Sequence, residues 1–390
     1  MPKRLRFGGW AVVLVAVFAA GIIGCQPVLS RLGVSLPSGR AEVTDVNLPD
    51  GFRMTVFAEG LSIPRFMVVG SDGTVFVAEL GENRVVAFPY GGDGRADDMR
   101  VVAEDLDRPS SLAFRPGTSE LYVGETARVT RLTLEGTQVL RREVVIDGLS
   151  SRRQHFTTTV LFGADGALYV SMGSSCNVCL EKDNRLAAVS RYDADGARGR
   201  PFTTGLRNAV GLALNPATGE LWATNNGRDL LGNDQPPETV YTLRKGADAG
   251  WPRCHAGSII DPDFGDETAC EGVLDPVITD TAHSAPLGAT FYTGDMFPED
   301  YRGDLFIAYH GSWNRTPPTG YKVVRVPMAG GEVAGRPVDF ATGWLKSDSS
   351  STGRPVGVVI AADGALLISD DKAGIIYRVD YDTRRASSAR

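Results

Sequence analysis

Several residues able to recognise anions or move protons stand at nearly the same place relative to recurring turn signals. Arg108, His155 and Asn208 each lie about ten residues before a turn, Arg207 adjoins Asn208, and Arg354 sits one place closer to its own turn. His283 falls near a fifth such position, whereas Arg65 is too close to its turn and drops out of the series. A second set, Glu79, Glu125, Asn225-Asn226, His310 and Asp370-Asp371, closes the apolar segments that follow the turns. Guanidinium groups bind carboxylates bidentately, so clustered Arg points to an anionic ligand. An imidazole among them is neutral near pH 7 and can serve as a general base. Two other chemistries fit the same residue types. Glu79, Glu125 and Asp371 could hold a metal for hydrolysis, as in propeller lactonases, and a polar ring of this kind could bind a glycan or protein without catalysis. Taken singly, each Arg is an ordinary loop residue and each His an ordinary packing residue. The shared offset makes them a candidate site.

The elements that must position these residues repeat. Short β-type runs follow Gly-bearing pairs at Asp72-Gly73, Pro116-Gly117, Asp165-Gly166, Thr218-Gly219, Gly303-Asp304 and Asp363-Gly364. Such pairs supply the positive φ that tight hairpin turns need. Aligned on Val75, Leu121, Leu168, Leu221, Leu305 and Leu366, the intervals are 46, 47, 53, 84 and 61 residues. A β-unit recurring at this period predicts an all-β fold, a six-bladed β-propeller, with an insertion in the 84-residue interval. After the sixth hairpin one strand remains, 375–379, so the free strand at 52–58 is expected to complete the last blade and close the ring. In antiparallel blades, the start of each innermost strand and the end of each second strand then emerge at one mouth of the central channel.

Composition removes other classes. Forty Lys and Arg against 47 Asp and Glu give a net charge of −7, and with no basic block the chain is not built to bind nucleic acid. A content of 43% hydrophobic residues excludes a disordered chain. Lys3, Arg4 and Arg6 precede an apolar run over residues 10–24, too short for a membrane span and suited to an export signal. The run Ile22-Ile23-Gly24-Cys25 resembles a bacterial lipobox, which makes Cys25 the expected lipidation site. The reading is therefore an exported bacterial protein of the periplasm or cell envelope, touching the membrane only through an N-terminal lipid or signal anchor. Residues 1–24 are the export signal, 25–47 a tether, 48–384 the propeller and 385–390 a tail. In an oxidising compartment Cys176, Cys179, Cys254 and Cys270 form an even set. Three pairings are open; sequence proximity favours Cys176–Cys179 with Cys254–Cys270, and Cys176-Asn177-Val178-Cys179 could also be a redox pair or half a zinc site.

Over residues 48–381 the chain resembles the glucose/sorbosone dehydrogenases, closest to the sorbosone dehydrogenase-like branch. The resemblance is carried by Gln154-His155-Phe156, Gly166-Ala167-Leu168-Tyr169-Val170-Ser171-Met172-Gly173-Ser174-Ser175-Cys176 and Gly205-Leu206-Arg207-Asn208. It continues in Gly250-Trp251-Pro252, His310-Gly311-Ser312-Trp313-Asn314-Arg315 and Gly353-Arg354-Pro355. It implies an exported six-bladed enzyme that oxidises an aldose or sorbosone-type sugar with pyrroloquinoline quinone (PQQ) and Ca²⁺, passing electrons to an unidentified acceptor. By the same resemblance His155 is the base for the anomeric hydroxyl, Arg207 and Asn208 contact the quinone, and Arg354 meets its carboxylates. Ca²⁺ falls to the backbone carbonyls of Gly227 and Arg228. Two positions depart from the glucose-oxidising pattern. Ala209-Val210 replaces Pro-Gln, and the fifth-blade Lys has no match, its region being occupied by His310 and Arg315.

Overall fold

The computed structural model describes residues 42–382 apart from 91–93, 95, 97, 152 and 153. The export signal, Cys25, most of the tether and the tail lie outside the described residues. The last tether residues do not stand apart from the domain. Glu42 bridges to Thr55 and Asn47 to Thr342, and Val43, Val46 and Leu48 pack on the adjoining core.

Six four-stranded antiparallel blades follow one another along the described residues, the sixth taking its outermost strand from the N-terminal side and the third carrying a fifth, parallel strand at its edge. Their innermost strands are Pro64–Val69, Ser111–Phe114, Thr158–Phe162, Ala209–Leu214, Pro286–Phe291 and Pro355–Ile360, which define blades 1 to 6. The second strands explain why the sequence reads as continuous apolar runs rather than alternation. In Val75–Glu79, Leu168–Met172, Leu221–Asn225, Leu305–Tyr309 and Leu366–Asp370 every residue is buried, because both faces of a blade are covered by its neighbours. The turn glycines Gly73, Gly117, Gly166, Gly219, Gly303 and Gly364 all adopt φ between 70° and 89°, as the hairpins require. The extra length between blades 4 and 5 separates the last two strands of blade 4. It contributes a two-residue strand, Ala247–Asp248, to the edge of blade 3, and a small hairpin of Cys254–His255 with Ile259–Ile260.

Closure uses the N-terminal strand. Phe52–Glu59 pairs antiparallel with Ile375–Tyr381, from Phe52 opposite Tyr381 to Glu59 opposite Ile375, as the outermost strand of blade 6. Its side chains alternate between two cores. Phe52 and Met54 join the cluster of Tyr292, Phe297, Phe306 and Phe340, while Phe57 joins Val75, Val77, Val86 and Phe88 of blade 1.

Both cross-links expected by proximity are formed, Cys176–Cys179 and Cys254–Cys270. The second spans 16 residues of the insertion, so the chain-entropy model assigns it about 3 kcal/mol. Replacing Cys254 and Cys270 together by Ser is expected to lower unfolding stability by roughly that amount in urea titrations. An unchanged urea midpoint would show that the bond constrains nothing.

Candidate functional site at one mouth of the channel

The loops entering the innermost strands are fixed by a repeated bond. Glu79 accepts the backbone N–H of Ser62 at 2.7 Å, and Glu125 accepts that of Asp107. Asn225 Oδ1 accepts the N–H of Asn208 at 3.0 Å, and Asp370 Oδ1 that of Arg354 at 2.8 Å. In four blades, then, the end of the second strand latches the residue leading into the first. This corrects one expectation. Glu79 and Glu125 are fully buried, and Arg84 and Arg128 complete their partners, so they serve as latches and not as ligands in the channel. The metal-hydrolase arrangement loses two of its three carboxylates. The third, Asp371, is spent on Arg65 at 2.7 Å and on His310 Nε2 at 2.9 Å.

That trio joins blades 1, 6 and 5. Burial pushes the Arg65 guanidinium down in pKa, opposed by Asp371 and reinforced by the charges of Arg354 and Arg108. Burial likewise pushes His310 below its ordinary value despite Asp371, which leaves the imidazole neutral near pH 7. Arg354 lies against the same wall. Its Nε donates to the His310 carbonyl at 2.9 Å and its Nη2 to the Gly311 carbonyl at 2.6 Å, and the guanidinium lies over the Tyr321 ring at 5.4 Å. Arg354 and Arg108 pair with no carboxylate among the described residues; Arg108 instead covers the Phe156 ring at 3.9 Å. Arg315, by contrast, is paired with Asp234 at 3.0 Å and bonds the Asn233 carbonyl.

Arg207 is held where the chain enters the innermost strand of blade 4. Its Nη2 meets Asp229 at 2.6 Å and Asn177 Oδ1 at 2.9 Å, and its Nε donates to the Asn177 carbonyl at 3.0 Å. Burial pushes its pKa down, with Asp229 opposing. Asp229 also accepts Asn314 Nδ2 at 2.9 Å and lies 4.0 Å from His283, whose other nitrogen bonds the Gly232 carbonyl at 2.8 Å. Asn208 donates to Asn226 Oδ1 at 2.9 Å, while its own Oδ1 is buried with no partner among the described residues. His155 Nδ1 lies 2.9 Å from Ser174 Oγ and 3.2 Å from the Ser174 carbonyl. Ser174 Oγ donates to the Cys176 carbonyl at 2.6 Å, so both Ser174 oxygens face the ring as acceptors. Ser174 therefore receives the hydrogen that the imidazole carries on Nδ1. His155 and Asn208 meet across Gly173, where an added Cβ would lie 2.4 Å from His155 Cβ and 2.6 Å from Asn208 Oδ1.

The donor set suits a flat anionic quinone. Among the described residues Arg354 and Arg108 have no carboxylate partner, and Asn208 Oδ1 is a buried polar atom with none. The Gly227–Arg228 loop is compatible with a hard cation. Gly227 N–H is anchored on Glu238 at 2.8 Å, the Arg228 side chain turns to Asp261 and Asp263, and neither residue's carbonyl accepts a hydrogen bond among the described residues. Burial raises Glu238 to a pKa of about 7, although the N–H groups of Gly227 and Ala285 both favour its charged form.

Sequence reasoning did not find Arg65, Asn177, Asp229, Glu238 or Asn314. Asn177 and Asn314 stood inside quoted motifs with no role of their own, Arg65 was set aside as out of register, and Asp229 closes the run Asn225-Asn226-Gly227-Arg228.

The chain is similar to known proteins. The profile of the Glucose / Sorbosone dehydrogenase family fits residues 117–313, and a TrAA12-like profile fits residues 255–382. A pyrroloquinoline quinone-dependent pyranose dehydrogenase of Coprinopsis cinerea is 26% identical over 88% of this chain, which spans 56% of that longer protein. The holo PQQ domain of the Coprinopsis cinerea pyranose dehydrogenase superposes with a TM-score of 0.77 at 24% identity, over 89% of this chain and all of that one. A calcium structure of a Trichoderma reesei family AA12 protein gives 0.75 at 23% identity, over 88% of this chain and all of that one. With half of its length under one family profile, the chain belongs to the glucose/sorbosone dehydrogenase family.

Proposed function

We propose that this protein is a PQQ- and Ca²⁺-dependent dehydrogenase that oxidises an aldose or sorbosone-type sugar at C1. The observation that carries the reading is His155, held in one tautomer by Ser174 beside the unsatisfied amide oxygen of Asn208. When bound, PQQ supplies the hydride acceptor. His155 Nε2 takes the proton of the anomeric hydroxyl, and the neutral Nδ1–H···Ser174 bond keeps the ring aimed. Arg207 and Asn208 form the polar wall on the reacting side, with Arg207 fixed by Asp229 and Asn177 so that its charge needs no reorganisation. Arg354, with Arg108 near the same buried Arg65, holds the cofactor's carboxylates, while Arg315 and His310 are engaged by Asp234 and Asp371. The carbonyls of Gly227 and Arg228 are oxygen donors of the kind a hard cation takes. The calcium in the Trichoderma reesei relative and the PQQ of the pyranose dehydrogenase support both assignments. The protein acts outside the cytoplasm, carried there by its N-terminal signal and lipid-anchored at Cys25, and delivers electrons to a separate acceptor.

The test is dye reduction by purified protein over a panel of aldoses, with PQQ and Ca²⁺ added together and singly. Turnover requiring both supports the reading. Absence of turnover, with no PQQ-dependent spectral change on titration, overturns it. Arg354→Ala is expected to weaken PQQ by about 1.5–3 kcal/mol, roughly 10- to 150-fold in Kd, while leaving the sugar KM nearly unchanged. An unaltered titration would remove Arg354 from the cofactor site.

A further inference from the structure

The geometry points to the Cys176–Cys179 loop as a redox-sensitive bracket that positions Arg207, with Asn177 as the positioning residue. Asn177 lies inside the four-residue loop that the disulfide closes. Nearly all its polar atoms face the site. Its carbonyl accepts Arg207 Nε at 3.0 Å and the Trp251 indole at 3.3 Å. Its Oδ1 accepts Arg207 Nη2 at 2.9 Å and the Asp229 N–H at 2.9 Å, and its Nδ2 donates to the Asp229 carbonyl at 3.1 Å. One residue thus grips the guanidinium twice and also fixes the carboxylate-bearing residue that grips it a third time.

Such a grip requires the backbone and the side chain of Asn177 to be aimed together, which an open surface loop does not guarantee. The disulfide supplies that constraint. A cross-link spanning three residues removes far less chain entropy than one spanning 16, so its main effect is local geometry and not global stability. The rest of the loop is braced independently. Glu181 accepts Ser175 N–H at 2.6 Å and Ser175 Oγ at 2.9 Å, and the Ser175 and Ser174 carbonyls accept the N–H groups of Gln154 at 3.2 Å and His155 at 3.3 Å, so the segment stays docked when the bond opens and the Asn177 corner gains freedom. The same loop carries the Cys176 carbonyl, which accepts Ser174 Oγ and through it orients His155. Cys176 and Cys179 are both partly exposed, within reach of a soluble dithiol, which reduces the bond to two thiols as it closes to its own cyclic disulfide.

The catalytic consequence rests on the function proposed above, but the positioning does not, and the experiment separates them. In protein labelled with [¹⁵N]arginine and free of PQQ, the Arg207 Nε–H resonance is identified by its loss in Arg207→Lys. It is expected to exchange slowly with water in the native protein. Exchange should quicken at least tenfold in Cys176→Ser/Cys179→Ser and in Asn177→Ala. It should also quicken in native protein treated briefly with dithiothreitol, where peptide mapping shows Cys254–Cys270 intact; this arm needs no variant to fold. An unchanged resonance after the 176–179 bond is opened overturns the inference. With PQQ, Ca²⁺ and an active sugar, kcat should fall about 10- to 100-fold with KM within threefold, the pattern of a misaimed transition-state contact. If the resonance responds but native protein turns over no sugar, the bracket stands and the dehydrogenase reading falls.

Discussion

Deletion of residues 52–59 is expected to abolish the cooperative thermal transition of the whole domain. The strand completes blade 6 and seals the ring, so its loss leaves unpaired edges and opens two cores at once. Phe57 is wholly buried, Met54 nearly so, and Phe52 makes ring contacts with Phe297, Tyr301, Phe340 and Tyr381. Burial of three such side chains contributes about 1.5–3 kcal/mol each, together comparable with the 5–15 kcal/mol that holds a typical domain folded. Calorimetry of the truncated protein is the measurement. Melting within a degree or two of the intact chain would mean that the ring does not depend on this strand. Phe57→Ala alone should cost about 3–5 kcal/mol, a graded version of the same loss.

His155→Ala is expected to lower kcat by about 10²–10⁴ while PQQ affinity stays within a few fold. The substitution removes the proposed base and leaves Arg354, Arg207 and the Gly227–Arg228 loop in place. Cofactor titration followed by turnover at saturating PQQ reads the two effects separately. Equal and modest losses in both would indicate general destabilisation. Full activity would remove His155 from the chemistry and turn attention to His283 and His310. His310 already has its Nε2 committed to Asp371 and its carbonyl to Arg354, so it is the poorer base.

The blade count was legible because each blade repeats one local event, a positive-φ Gly turn before a run buried on both faces. The closing strand was legible as the one β-type segment left over. The site was legible where its residues lead into a strand, as with His155, Asn208 and Arg354, since the offset from the turn then fixes the mouth. Arg65 escaped that count because it lies inside its strand, where the register shifts between Pro64 and Met67. Asn177, Asp229 and Asn314 meet through loops from three blades, and no periodicity encodes the path of a loop. Glu79 and Glu125 show the opposite error. Their places at the strand ends were read correctly, but type and position alone do not tell a carboxylate that faces the channel from one that caps a loop beneath it. The chemistry assigned to the mouth came from the family resemblance, and its individual roles are what the variants above address.

The latch at Ser62, Asp107, Asn208 and Arg354 uses the backbone N–H of the rim residue and makes no demand on its side chain. The rim therefore behaves as a set of sockets with a common fitting. As far as the latch is concerned, a residue at one of these places can be exchanged for another of different charge or size without rerouting the chain, so the ligand preference of the mouth can be redrawn while the blades beneath it stay as they are. Proline is the one residue that no socket accepts, because it has no hydrogen to offer the latch.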